Sequence, residues 1–184
     1  MNYIKTETEG PVIIEPRVFE DERGYFFESF SQRDFEAAVG PVHFVQDNES
    51  CSVRKGVLRG MHFQKGDDAQ AKLVRVVRGR VLDVAVDIRP DSPTCGRWEM
   101  VELSVENKRM FFIPRGFAHG FLVLEENTVF QYKCDNYYAP QSEGSFRWDD
   151  PEVGIDWGVD PSEVILSAKD AKAPAFSELR NMEE

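Results

Sequence analysis

The stretch Gly56-Val57-Leu58-Arg59-Gly60-Met61-His62-Phe63-Gln64 decides the fold that this sequence predicts. Many small β-barrels begin a metal site with a glycine, five further residues and a histidine, and then hold the metal with His-x-His and a later glutamate. Gln64 stands where the second histidine would be, and Lys72 stands where the glutamate would be, with six residues between it and Gly79. An ammonium cannot ligate a cation, because divalent metals need deprotonated donors. The stretch therefore predicts a barrel pocket without a metal, built around an organic acid–base pair and a fixed positive charge.

Length and charge narrow the classes of partner. The chain has 184 residues, which suits a single domain over residues 1–184 with a full hydrophobic core. Its net charge of −11 argues against nucleic acid or an anionic membrane as a partner. An anionic ligand would need a local cluster of cations.

The cysteines and the N-terminal sequence predict a reducing cytoplasm. Cys51, Cys95 and Cys134 are odd in number and widely spaced, so they suggest neither a disulfide framework nor a zinc site. The first residues lack the apolar core of a signal peptide, and no apolar run approaches membrane-spanning length.

Short strand-like runs separated by turn residues fill most of the chain and predict a mainly β fold. Many short strands with little helix favour a jelly-roll β-barrel with a few short helices, and the lack of alternating helices excludes a doubly wound α/β fold. Ser31 is a candidate N-cap for a short helix over Asp34–Val39, and the tail after Pro140 is expected to carry short helices. The expected strands are Val12–Ile14, Tyr25–Phe30, His43–Val53, Val57–Gln64, Ala71–Arg78, Arg80–Ile88, Trp98–Val105, Met110–Ile113, His119–Leu124 and Thr128–Cys134.

Three titratable residues fall on strand faces that are otherwise apolar. Period-two alternation gives Lys72, His119 and Tyr132 apolar neighbours on their own faces. A buried ammonium is costly without a partner, so these groups either converge on a pocket or are satisfied within the core. For Lys72 the structural alternative is an ion pair with a strand carboxylate such as Asp83.

Alternation also poses a problem at the start of the pocket. It places Arg59 and His62 on opposite faces of their strand. A β-bulge at Gly60 would bring both side chains into the pocket.

A second informative stretch, Ile113-Pro114-Arg115-Gly116-Phe117-Ala118-His119-Gly120-Phe121, has a Pro-x-Gly turn before a strand that opens with His119. It is the other half-motif of the cupin barrel, with Val123 where an asparagine is expected. Together with the first stretch it resembles the dTDP-4-dehydrorhamnose 3,5-epimerase family of deoxysugar biosynthesis. The resemblance extends nearly end to end, over Asp21–Phe26, Gln46–Asn48, Gly56–Gln64, Lys72–Gly79, Pro114–Phe121, Tyr132–Pro140, Trp148–Pro151 and Ser167–Asp170.

The resemblance implies a cupin-type jelly-roll homodimer that needs no metal or organic cofactor. The family inverts C3 and C5 of dTDP-4-dehydro-6-deoxy-D-glucose, both beside the C4 ketone, to give dTDP-4-dehydro-L-rhamnose. By similarity His62 is the base, Asp170 orients its imidazole, and Tyr132 is the proton donor on the opposite face of the sugar. Lys72 would stabilise the enolate oxygen, taking the place of a metal ion.

The family pattern also implies a set of substrate contacts. Arginine and lysine among them would supply the cations that a diphosphate needs, and Phe26 would stack on the thymine. Several contacts are expected from the partner subunit, because the family's dimer exchanges an N-terminal strand. Besides Lys72 and Phe26, the implied substrate-binding residues are Arg23, Glu28, Gln46, Asp47, Asn48, Arg59, His119, Glu143 and Lys169.

Three other functions share some of these residues. Related enzymes invert only C3 or only C5 of dTDP-4-ketosugars and would need His62, Lys72 and Tyr132 as well. A metal-dependent cupin oxygenase is disfavoured by Gln64 and Lys72, and a sugar-binding barrel without activity leaves the acid, the base and the buried ammonium unexplained.

Overall fold

Thirteen strands and two short helices make up the computed structural model, which describes residues 1–180. The helices are α1 (Gln32–Ala38) and α2 (Phe176–Arg180), and the same residues also contain four short 3-10 turns. The strands are β1 (Asn2–Lys5), β2 (Val12–Glu15), β3 (Val18–Asp21), β4 (Gly24–Phe27), β5 (Gln46–Ser52), β6 (Leu58–Gln64), β7 (Lys72–Arg78), β8 (Arg80–Asp87), β9 (Trp98–Ser104), β10 (Met110–Ile113), β11 (Phe117–Val123), β12 (Thr128–Cys134) and β13 (Glu143–Ser145).

Two antiparallel sheets form the body of the molecule. One has six strands in the order β1-β2-β10-β7-β12-β5, and the other has five in the order β13-β6-β11-β8-β9. A separate hairpin pairs β3 with β4. Neighbours in each sheet are mostly distant in sequence, as a jelly roll requires.

The predicted strands are present, but some of their ends were wrong. Two of them are shorter than the sequence indicated, because β4 ends at Phe27 and β5 begins only at Gln46. The strands β1, β3 and β13 were not predicted; two of them are four residues long and one three, too short for a clear alternation.

The predicted helices are also present. Asp34 N–H donates to the Ser31 side chain at 3.4 Å, so Ser31 caps α1 as expected. The tail helix is α2, and residues 181–184 lie outside the described part of the chain.

One part of the hydrophobic core lies between the two sheets, and other parts pack against their outer faces. On β8, Val81 and Ala85 join the inter-sheet cluster while Val84 and Val86 face the other way into a second cluster, as side-chain alternation along a strand requires. Phe121 of β11 and Phe130 of β12 stack across the gap with ring centroids 4.1 Å apart. Since these two strands belong to different sheets, the stacked rings help to set the spacing between the sheets.

The bulge expected at Gly60 is confirmed. Between the pairs His119–His62 and Phe121–Arg59, β6 has one residue more than β11. Gly60 has φ +138°, and a Cβ there would lie 2.5 Å from the Gly120 Cα, so only glycine fits. The extra residue lets Arg59 and His62 face the same cavity.

Among residues 1–180, no helix has the length and apolar character needed to cross a bilayer.

Candidate active site

A cavity of about 490 Å³ opens between the sheets. The five-stranded sheet contributes Arg59 and His62 from β6, His119 from β11 and Glu143 from β13, and the six-stranded sheet contributes Lys72 from β7 and Tyr132 from β12. The segment after Ile165 covers one side and adds Lys169 and Asp170. Phe121, Phe130 and Leu58 make its floor apolar, as is usual for small-molecule sites.

His62 is held by a buried carboxylate. Its Nε2 lies 2.6 Å from Asp170 Oδ1, and the Asp170 side chain is 4% exposed. Burial alone would raise the pKa of Asp170, but the hydrogen bonds from His62 and Ser167 and the nearby charge of Lys169 lower it below its usual value. Asp170 therefore stays ionised and fixes both the orientation and the tautomer of the imidazole, leaving Nδ1 unprotonated when the ring is neutral.

Lys72 stands on the pocket wall at the start of β7. Burial lowers the pKa of its ammonium, and the nearby carboxylates of Asp83 and Glu143 act in the opposite direction. In the described part of the chain, no carboxylate makes a direct ion pair with Lys72. The ammonium is therefore available to an electronegative atom in the cavity.

The carboxylate suggested as the structural partner of Lys72 pairs with His119 instead. Both Asp83 oxygens lie near His119 Nε2, at 3.0 and 3.1 Å, and Asp83 is fully buried. Burial raises the pKa of Asp83 and lowers that of His119. The pair satisfies two polar groups that would otherwise be costly in the core, and it keeps negative potential close to Lys72.

Tyr132 faces the cavity from the six-stranded sheet. Burial raises the pKa of its phenol, Cys134 acts in the same direction, and the Arg59 guanidinium opposes them. The phenol is thus protonated at neutral pH and can donate a proton. His62 and Tyr132 belong to different sheets, so they approach the cavity from opposite sides.

The mouth of the cavity is basic on one side. Arg59 donates to Ser52 Oγ at 3.4 Å, and Lys169 forms an ion pair with Glu143. Tyr138 also donates to Glu143 at 3.4 Å. This cluster gives a strongly acidic protein a local site for an anion.

Three of the implied substrate contacts that lie outside the cavity are on the N-terminal side of helix α1. Arg23, Phe26 and Glu28 belong to the β3–β4 hairpin or follow it directly, and none of them lines the pocket. Arg23 pairs with Asp21 at 2.5 Å in solvent, and Phe26 is 69% exposed. Within one chain, therefore, the structure does not bring these residues to the site.

The β5 residues are divided between the two faces of their strand. Asp47 pairs with Lys133 at 3.0 Å and lines a separate groove, so the structure does not bring it to the cavity. Asn48 is opposite Tyr132 in the sheet and donates to Cys134 Sγ at 3.7 Å. Gln46 accepts from the Tyr138 backbone N–H at 3.1 Å. Neither Gln46 nor Asn48 lines the cavity within one chain, and Asn48 lines the same groove as Asp47.

Two residues that matter to this geometry were not identified from the sequence. Gln64 was noted only as a missing metal ligand, although it makes three hydrogen bonds. The sequence could have indicated that Asp83 pairs with His119, because both residues interrupt apolar strand faces. Among residues 1–180, no three His, Cys, Asp or Glu side chains are arranged to hold a metal.

A jelly-roll barrel with an imidazole, a phenol and an ammonium around one cavity has the groups that an isomerase working by proton transfer needs. The family model described as dTDP-4-dehydrorhamnose 3,5-epimerase matches residues 5–178. The chain belongs to this family, and its fold is the cupin-type jelly roll.

Relatives cover almost the whole chain. The dTDP-4-dehydrorhamnose 3,5-epimerase of Salmonella typhimurium is 55% identical over 179 residues, which is 97% of each chain. The crystal structure of the enzyme of that name from Elizabethkingia anophelis has a TM-score of 0.93 and 55% identity, again over 97% of each chain. A Legionella pneumophila dTDP-6-deoxy-D-glucose-3,5-epimerase, solved in complex with dTDP-4-keto-L-rhamnose, has a TM-score of 0.91 and 51% identity over 96% of this chain and 93% of its own.

Proposed function

We propose that this protein converts dTDP-4-dehydro-6-deoxy-D-glucose to dTDP-4-dehydro-L-rhamnose by inverting C3 and C5, as a step in dTDP-L-rhamnose biosynthesis. The observation that carries the proposal is the approach of His62 and Tyr132 to one cavity from two different sheets. Inversion requires removal of a proton from one face of a carbon and delivery of a proton to the other face. A base and an acid on opposite walls meet that requirement.

The first step is proton abstraction beside the ketone. Nδ1 of neutral His62 takes the proton from C3 or C5, and the electron pair moves into an enolate whose negative charge falls on the C4 oxygen. Asp170 stabilises the imidazolium that forms. Lys72 donates to the enolate oxygen inside the cavity, where a preorganised charge shielded from bulk water is most effective.

The second step delivers a proton to the opposite face. Tyr132 gives its phenolic proton to the same carbon, the carbonyl re-forms, and the phenolate regains a proton from solvent while His62 loses one to solvent. Arg59 lies near enough to Tyr132 to stabilise the transient phenolate. The cycle then repeats at the second carbon, and it requires neither an oxidant nor a metal.

The diphosphate would be held at the basic mouth. Arg59 offers a guanidinium with forked donors, and Lys169 offers an ammonium that can exchange its Glu143 partner for a phosphate oxygen. His119, Gln46 and Asn48 would line the remaining path of the substrate.

The active form would be a homodimer in the cytoplasm, with each chain acting as one domain. The β3–β4 hairpin exposes Phe19, Tyr25 and Phe26, which are 51%, 55% and 69% exposed, and an apolar patch of this kind favours burial against a second copy. We propose that the hairpin brings Arg23, Phe26 and Glu28 to the partner's cavity.

Incubation with the proposed substrate in deuterated water tests the function. NMR of the product should show deuterium at both C3 and C5 and the L-rhamno configuration. Deuterium and inversion at one carbon alone would instead identify a single-position epimerase. Absence of any exchange, with dTDP still bound, would support a binding protein.

A further inference from the structure

The segment between β12 and β13, residues 135–142 and called here the strap, connects two strands that each contribute a residue to the cavity, Tyr132 and Glu143. Its last residue leads directly into Glu143, which lines the cavity, and Tyr138 within it donates to the Glu143 carboxylate at 3.4 Å. Tyr138 is 56% exposed. The strap has no regular secondary structure apart from a 3-10 turn at Pro140–Ser142. Backbone hydrogen bonds hold its two ends, from Asp135 N–H to the Ala71 carbonyl at 3.1 Å and from Lys65 N–H to the Ser142 carbonyl at 2.9 Å, and side chains hold its middle.

Gln64 makes the central connection to the strap. Its Nε2 donates to the Asp68 carbonyl at 2.6 Å and to the Tyr137 carbonyl at 3.2 Å. Its Oε1 accepts from the Ala139 backbone N–H at 2.9 Å. These bonds bind the backbone on both sides of Tyr138.

The geometry points to Gln64 as a positioning residue for substrate recognition: it fixes the strap so that Tyr138 and Glu143 face an incoming nucleotide sugar. The inference rests on the proposed function. Gln64 is 8% exposed, and its amide offers a donor and an acceptor to the strap and a second donor to the Asp68 carbonyl. A histidine at this place in β6 would present one donor and one acceptor at most when neutral, and therefore could not make all three bonds.

The chemical groups do not depend on the strap. His62, Lys72 and Tyr132 stand on β6, β7 and β12, and their orientation comes from the sheets and from Asp170. Loss of the Gln64 bonds should therefore weaken binding in the ground state and leave the chemical step nearly intact.

The test compares Gln64→Met, which keeps the length of the side chain and removes all three bonds, with the wild type. We expect KM and the Kd for dTDP to rise about tenfold, equivalent to about 1.4 kcal/mol, with kcat changed by no more than about threefold. Gln32→Met is the matched control, because Gln32 lies on helix α1, away from the cavity, and bonds to Glu36 and to the carbonyl of Val42 beyond the helix. Unchanged KM and Kd in Gln64→Met, or a fall in kcat alone, would overturn the inference.

A double-mutant cycle separates positioning from simple stabilisation. In a Tyr138→Ala background, Gln64→Met should raise the Kd for dTDP by much less than it does in the wild type, because the group that it positions is gone. An equal effect in both backgrounds would contradict the inference.

Hydrogen exchange of the wild type provides a test that does not depend on a variant folding. Addition of dTDP should slow exchange at the backbone amides of residues 135–142, the Ala139 amide among them. Exchange that dTDP leaves unchanged would count against the inference. An inactive wild type, by contrast, would refute the proposed function and not this role of Gln64 in dTDP binding.

Discussion

At the scale of single residues, the sequence identified most of the cavity because polar side chains interrupt apolar strand faces. Lys72, His119 and Tyr132 could be placed in this way, and the structure brings them together. Asp170 could not, since it follows no strand pattern and only family resemblance indicated it. Its bond to His62 joins residues 108 positions apart, which no local pattern encodes.

Replacement of His62 tests the base. His62→Ala should lower exchange and inversion at both C3 and C5 by at least about 10²-fold, the contribution typical of general acid–base catalysis, while the Kd for dTDP stays nearly constant. Deuterium uptake and calorimetry measure the two quantities. His43→Ala, at an exposed histidine, is the matched control and should retain full activity. Normal turnover in His62→Ala would exclude His62 as the base.

Replacement of Tyr132 tests the acid. Tyr132→Phe removes the proton that inverts the carbon and leaves His62 in place, so product formation should fall more than the uptake of deuterium from solvent. Time-resolved NMR in deuterated water follows both processes. Tyr3→Phe, on β1 outside the cavity, should behave as the wild type. If both processes fell equally, Tyr132 would not be the opposite-face acid.

At the scale of elements, the alternation of side chains predicted the strands well but not their ends. The segments just after β4 and just before β5 are rich in aromatic and branched residues. These residues pack around Phe35 and do not pair in a sheet. Their composition resembles that of a strand, and only the tertiary packing distinguishes them.

The bulge in β6 is an element that can be tested directly. Gly60→Ala puts a Cβ 2.5 Å from the Gly120 Cα at φ +138°, so the β6–β11 pairing must shift and Arg59 and His62 lose their common orientation. We expect a loss of about 2–4 kcal/mol in unfolding free energy, together with a large fall in kcat. Urea unfolding and steady-state kinetics measure the two effects.

Gly40→Ala is the matched control for the bulge. Gly40 has φ +125°, and an added Cβ would meet nothing within 4 Å. It should therefore show the conformational cost alone, with activity retained. An equal loss of stability in both variants would mean that close approach at Gly60 is unimportant.

The end of β8 provides a prediction on pH. Burial alone would raise the pKa of Asp87, but hydrogen bonds from Arg89, Ser92 and Thr94 lower it to about 2. A carboxylate with a depressed pKa stabilises the fold fully above its unfolded value near 3.8 and loses that contribution as pH falls towards 2. The free energy of unfolding of the wild type should exceed that of Asp87→Asn by about 2 kcal/mol at pH 7. This difference should disappear between about pH 4 and pH 2.

Urea unfolding at a series of pH values measures that difference. Asp91→Asn, at an exposed position in the same turn, is the control and should follow the wild type throughout. A difference between wild type and Asp87→Asn that stayed constant from pH 7 to pH 2 would contradict the assignment.

At the scale of the whole molecule, a single chain does not bring all of the expected substrate-binding residues to the cavity. Arg23, Phe26 and Glu28 were inferred from family resemblance, and the single chain holds them on an exposed hairpin. No pattern within the sequence reports which residues cross to another copy, because alternation and spacing describe only local geometry.

Subunit complementation tests that arrangement. His62→Ala and Arg23→Ala should each be nearly inactive alone. Co-expressed, they should recover activity, because a mixed dimer has one cavity with intact His62 and a partner's intact Arg23. Random pairing predicts recovery of about a quarter of the wild-type sites. Sedimentation should show a dimer, and an absence of recovery in mixed dimers would place Arg23 and His62 in the same subunit's site.

The stacked pair Phe121 and Phe130 has a consequence for how the reaction could change in the course of evolution. The two walls bearing base and acid are held at a fixed separation by aromatic rings that have no group able to transfer a proton. A smaller side chain in place of either phenylalanine would let the two sheets approach each other, and a bulkier one would push them apart. Substitutions of these apolar interior residues could thus change the stereochemistry of the product while every side chain that takes part in the chemistry stayed the same.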